Sequence, residues 1–239
     1  MDWNNQKVVV LGGSSGMGLA TVQRLATAGA RVIAVGRDEI KMKQAIAGLG
    51  EHVSGAAFDC GDRAALDNFF ARIGGFDHLV LTLSGGEGAG PFAELDLAAL
   101  RRGFEAKFWP QVNAAQASLP ALRRDGSMTF LTAISARIAN PGTSGLAAIN
   151  GALESMIGTL ARELAPMRVN AVSPGVVDTA WWNRIPADMK ETIFRQQTET
   201  LPVGRVGQAQ DVARLIVSLM ENTFMTGSVI ECDGGMHLL

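Results

Sequence analysis

The chain has 239 residues, enough for one large core, and only 18% of them are charged against a usual share of about 25%. A net charge of −2 without a basic block argues against nucleic acid as a partner, and no run of about 20 apolar residues is present to span a membrane. Cys60 and Cys232 are isolated thiols, and His52, His78 and His237 have no ligand spacing, so neither a disulfide framework nor a metal site is expected. Met1 to Lys7 is polar and leads into a strand pattern without a secretory apolar stretch, which with the free thiols points to a cytoplasmic protein. The low charge density suggests that much of the surface is covered, by subunits or by a deep ligand cleft.

In chain order, Lys7 to Leu11 is an apolar run that meets glycines at once. Met17 to Ala28 then places Leu19, Val22, Leu25 and Ala26 on one helical side, and Arg31 to Val35 is a second apolar run. That order is a βαβ unit. Continuous apolar runs mark strands buried on both faces, and they recur at Val53 to Phe58, His78 to Leu83, Ser127 to Thr132, Arg168 to Val172 and Ser228 to Glu231. Helical patterns fall between them at Arg63 to Ile73, Leu97 to Leu122, Leu146 to Leu164 and Asp211 to Met220. This alternation predicts one α/β domain over 1–239, Rossmann-type and doubly wound, with a mostly parallel sheet and helices on both faces. The least regular stretch, 176–207, carries Trp181, Trp182, Pro186 and Pro202 and reads as a substrate lid with a short helix near Asp188 to Thr198.

Gly12-Gly13-Ser14-Ser15-Gly16-Met17-Gly18 lies between the first strand and the first helix. Glycines permit a tight turn and close approach of a pyrophosphate, and the helix start offers free N–H groups and a positive dipole end. The spacing resembles the TGxxxGxG turn of the short-chain dehydrogenase/reductase family, with Leu11 in place of the threonine. Further stretches match in order across essentially the whole chain. Asp59-Cys60 resembles the pair that contacts adenine, Arg168 to Gly175 resembles RVNxxxPG, and Thr226 to Gly235 resembles the last strand. The resemblance implies a seven-stranded sheet, a homotetramer, a small-molecule substrate and a nicotinamide cofactor. It places Gly12, Ser14, Ser15, Gly16, Met17, Gly18, Asp59 and Cys60 on that cofactor, together with Leu83, Ser84, Gly85, Pro174, Gly175, Val177 and Thr179.

A carboxylate at the end of the second strand would hold a ribose 2′-hydroxyl and repel a 2′-phosphate. That position is Gly36, and Arg37 follows with a guanidinium suited to phosphate, so NADP(H) is expected. NAD(H) stays open through Asp38, and Arg37 read alone is equally an exposed arginine at a helix start.

The acid/base positions depart from the family. The resemblance implies a serine, a tyrosine thirteen residues later, a lysine four residues beyond it on the same helix face, and an asparagine on the preceding long helix. Those positions hold Ala133, Leu146, Asn150 and Lys107, and the chain contains no tyrosine at all. Lysine and asparagine are thereby exchanged between two helices. Either Lys107, with Asn150 and Ser135, forms a rearranged catalytic set, or Lys107 snorkels to solvent and Ser135 is a turn residue. Two functions follow: an NADP(H)-dependent oxidoreductase acting on an apolar carbonyl or alcohol, or a catalytically inactive NADP(H)-binding protein that serves as sensor, ligand binder or partner subunit.

Overall fold

The computed structural model describes residues 2–239, so Met1 lies outside the described part. The main sheet holds β1 (Lys7–Leu11), β2 (Arg31–Gly36), β3 (Val53–Ala57), β4 (Phe76–Leu81), β5 (Leu122–Leu131), β6 (Arg168–Pro174) and β9 (Val229–Cys232). Its order is β3-β2-β1-β4-β5-β6-β9, and every pairing is parallel. This is the expected Rossmann-type doubly wound fold. Two short strands, β7 (Val177–Asp178) and β8 (Gly207–Gln208), pair outside the sheet and tie together the ends of the segment expected to be a lid.

The helices are α1 (Gly16–Thr27), α2 (Glu39–Ile46), α3 (Arg63–Ile73), α4 (Leu97–Ser118), α5 (Ser144–Glu163), α6 (Ala187–Thr200) and α7 (Ala209–Glu221). The sheet is apolar on both faces because it is covered on both. Val9, Leu11, Leu79 and Phe130 face α3, α4 and α5, while Val8, Val10, Val32 and Val172 face α1 and α7. Full burial of such a side chain contributes about 1.5–3 kcal/mol, so the βαβ core is what holds the loops at the strand ends in place. Among the described residues no helix is long and apolar enough to cross a membrane.

Two boundaries correct the sequence reading. The long helix ends at Ser118 and Leu122 already belongs to β5, because Pro120 has no backbone N–H to continue the helical hydrogen bonds, although Leu119 still has helical φ and ψ. The strand then bulges, shifting register between Phe76 and His78, before its core run begins at Ser127. Of helix α2 only the start was foreseen, in the reading of Arg37 as an arginine at a helix start, and not its span. It has eight residues, and Met42 is its one buried side chain, so it shows little periodicity.

Candidate functional site: a nucleotide turn and a rebuilt cleft

Strand order reverses between β1 and β4, and ligands of such sheets bind beyond the strand ends at that point. The sequence-predicted cofactor residues converge there. Gly12 has φ +88°, and a Cβ on Gly18 would lie 2.2 Å from the Gly12 carbonyl oxygen and 2.5 Å from Thr82 Oγ1. The helix can therefore start this close to the sheet only if position 18 is glycine. The helices α2, α3 and α4 are capped by the carboxylates of Asp38, Asp62 and Asp96, whereas Ser15 makes no side-chain cap on α1 and no acid occupies its first turn. An anion suits those N–H groups. Thr179 closes the other side, with its Cβ and methyl 3.5 Å from where a Gly16 side chain would begin.

At the adenosine end, a Cβ on Gly36 would meet Ser14 Oγ at 2.9 Å, so the missing carboxylate is replaced by a hydroxyl drawn in close. Arg37 is exposed and takes part in no ion pair among the described residues, while Asp38 accepts from the Lys41 N–H at 2.9 Å as a helix cap. Asp59 accepts from the Gly61 N–H, and Cys60 is buried, its thiol pushed up to about 12 chiefly by desolvation. These residues fit an adenine dinucleotide with a 2′-phosphate.

The cleft between α4 and α5 is different. Lys107 is 8% exposed and does not snorkel. Its Nζ donates to the Thr132 carbonyl at 3.0 Å, one residue before the family's serine position at Ala133. Burial pulls the ammonium pKa down to about 8, and the Glu154 carboxylate holds it from falling further. That carboxylate is fixed by two partners. Thr132 Oγ1 donates to its Oε1 at 2.8 Å and Arg137 Nε to its Oε2 at 2.9 Å, and Arg137 also pairs with Glu231. An ammonium taken out of water costs several kcal/mol unless compensated, and this chain of charges offsets only part of that cost, which is why the pKa stays lowered.

On the facing helix Asn150 is buried, and its Nδ2 donates to Ser135 Oγ at 3.1 Å and to the Leu146 carbonyl at 2.9 Å. Asn150 and Ser135 are thus brought together as the sequence suggested, with Asn150 Oδ1 left free as a buried acceptor. One turn past Lys107, Gln111 Nε2 donates to the carbonyls of Leu83 and Leu131 at 3.0 and 3.1 Å, bracing the segment that leaves β4. Ser84 is exposed and donates to the Gly85 carbonyl. Pro174 ends β6, and Val177 is buried in β7. Thr132, Glu154, Arg137 and Gln111 escaped the sequence reading. The nearest thing to a signal was Glu154, four residues beyond Asn150 on one helix face.

The segment between β7 and β8 folds over the strand ends. Trp181 Nε1 donates to the Gly85 carbonyl at 2.8 Å and Trp182 Nε1 to the Val177 carbonyl at 2.9 Å. The two indoles and Phe194 stack edge to face.

Comparison with known proteins agrees with this architecture. Residues 12–237 match the family model described as enoyl-(acyl carrier protein) reductase. The chain is 30% identical to 2,3-dihydroxy-2,3-dihydro-p-cumate dehydrogenase of Pseudomonas putida, over 98% of this chain and 95% of that one. A small-chain dehydrogenase solved in complex with NADPH superposes with a TM-score of 0.84 at 33% identity, covering 98% of this chain and 99% of that one. The NADPH-bound short chain oxidoreductase of Pseudomonas aeruginosa PAO1, described as containing an atypical catalytic center, gives 0.89 at 27% identity, covering 98% of each. The chain belongs to the short-chain dehydrogenase/reductase family and is an oxidoreductase of that type.

Proposed function

We propose that the protein is an NADP(H)-dependent oxidoreductase that interconverts a small carbonyl compound and its alcohol, with Lys107 in place of the family's tyrosine–lysine pair. The observation that carries this reading is the burial of Lys107 with its Nζ on the Thr132 carbonyl, just beyond the end of β5, where desolvation lowers the ammonium pKa to about 8. A group poised near neutrality both stabilises a developing alkoxide and gives up a proton to it. NADPH supplies the hydride. Lys107 supplies the proton to the carbonyl oxygen, Ser135 and Asn150 orient that oxygen, and the segment 176–207 acts as the lid that excludes water. The protonated state is set by Glu154, held through Thr132 and Arg137. Trp109 on α4 and Phe224 near the C-terminus, 47% and 99% exposed, fit a homotetramer in which these surfaces are covered. The second reading, a protein that binds NADP(H) without turnover, draws its support from the joint loss of serine, tyrosine and lysine that the family resemblance implies, and it stands behind the first.

NADP(H) preference rests on Gly36, Ser14 and Arg37. Calorimetry should show NADPH binding tighter than NADH, and Arg37→Ala should remove about 1.5–3 kcal/mol of that difference, the value of a charge-assisted hydrogen bond. Equal affinities in the parent protein would rule the preference out.

A further inference from the structure

Arg184 is a cation without a protein counter-ion. It lies in the turn Ala180–Arg184, and its guanidinium rests 5.8 Å from the centroid of the Trp181 ring. The same guanidinium abuts Gly86, since a Cβ there would sit 1.9 Å from Arg184 Nη1. Asp188, four residues beyond Arg184, makes no ion pair with it among the described residues, and the acids beside Gly86 and Trp181 are already engaged. Glu87 pairs with Arg102 at 2.6 Å and Asp178 with Lys190 at 2.9 Å. No ion pair joins Arg184 to any acid among the described residues, so its N–H fork is free.

The place it occupies is specific. Trp181 is pinned to the Gly85 carbonyl at 2.8 Å, which fixes the indole under the guanidinium. Two residues beyond Gly86, the Gly88 carbonyl packs on Gly145, where a Cβ would approach it to 2.3 Å. Gly145 precedes Leu146, the position where the family carries its proton donor. Gly85, the neighbour of Gly86, packs on α4, where a Cβ would meet the Ala106 Cβ at 2.9 Å, so Arg184 stands at the rim of the cleft beside the turn of α4 that carries Lys107. An arginine held flat on an aromatic face has already lost much of its rotamer freedom, and its planar fork matches a carboxylate bidentately.

We infer that Arg184 anchors an anionic substrate: the cleft takes a carbonyl or alcohol compound that carries a carboxylate, with the carboxylate on Arg184 and the reacting carbon facing Lys107. This rests on the oxidoreductase reading above and gives it a substrate class. Gly86 has a role under this inference, because any side chain there would displace the guanidinium.

The test uses the NADPH-loaded protein and two probes of equal shape, cyclohexanecarboxylate and its neutral carboxamide, titrated by calorimetry. The carboxylate should bind at least about tenfold tighter, the 1.4 kcal/mol of one good charged contact. Arg184→Met should erase the preference while leaving NADPH affinity within about twofold, and Gly86→Ala should weaken carboxylate binding with the arginine still present. Equal binding of the two probes, or a preference that survives Arg184→Met, overturns the inference. Loss of NADPH affinity in Arg184→Met would assign the guanidinium to a cofactor phosphate and overturn it as well, with the cofactor reading intact. Failure of the parent protein to bind NADPH would remove both.

Discussion

The β1–α1 turn and the α4–α5 cleft lie at the same end of the sheet, beyond the C-terminal ends of its strands, yet they are held by different forces. The turn keeps its glycines because backbone geometry leaves no choice: Gly18 touches the Gly12 carbonyl and Thr82, and no other residue fits. The cleft, in a chain with no tyrosine, holds a buried cation with a braced carboxylate behind it. Steric constraints at the turn act on one residue at a time. Charge at the cleft can be supplied from either helix, so the cation can move from α5 to α4 while the site stays electrostatically similar.

The largest effect should come from attacking the turn. Gly18→Ala must separate α1 from β1 and Thr82, a clash of the overpacking kind that costs about 1–3 kcal/mol or more in stability, and it should abolish NADPH binding in calorimetry. The cleft should respond in the opposite direction. The Lys107 pKa is lower in the fold than in the unfolded chain, so the unfolded chain holds more protons between about pH 8 and its ordinary value of 10.5. Stability should therefore rise with pH through that window, and below it the penalty is fully present at about 3 kcal/mol. In denaturant melts at pH 7, Lys107→Met should be more stable than the parent. The gain is that penalty less about 1 kcal/mol for the Thr132 carbonyl's lost donor, and the rise above pH 8 should vanish. A Lys107→Met variant that is less stable at pH 7 would show that the network overcompensates the burial. The smallest effect is expected from Leu146→Tyr. It places a phenol beside Asn150, with no lysine on its helix face, and leaves the phenol pKa near about 10. Ketone reduction should stay near background with that single change and rise only when Asn150→Lys and Ala133→Ser are added.

Legibility in the sequence followed the same division. The turn, α1 and the flanking strands were readable because glycine spacing and continuous apolar runs are local signals, and their bounds held to within one residue. The polar helix α2 showed only its start, because one buried methionine makes no pattern along its length. The start of β5 was absorbed into the preceding helix because Leu119 and Leu122 continue an apolar rhythm that Pro120 breaks. In the cleft, the absence of a tyrosine and the choice of Lys107 and Asn150, both buried, were legible. The Thr132–Glu154–Arg137 chain was not, because its members lie 22 and 17 residues apart and meet only through the packing of α5 on the sheet.

The central claim is that Lys107 carries the charge the family's lysine would carry. The direct measurement is the dissociation constant of NADPH for the parent and for Lys107→Met, by calorimetry at pH 7 and at pH 9.5. A charged Lys107 at pH 7 and a neutral one at pH 9.5 should make the parent bind more tightly at the lower pH, by several-fold or more. Lys107→Met should bind weakly at both, without that pH dependence. If Lys107→Met binds NADPH as the parent does at both pH values, Lys107 has no role toward the cofactor and the account of the cleft is wrong.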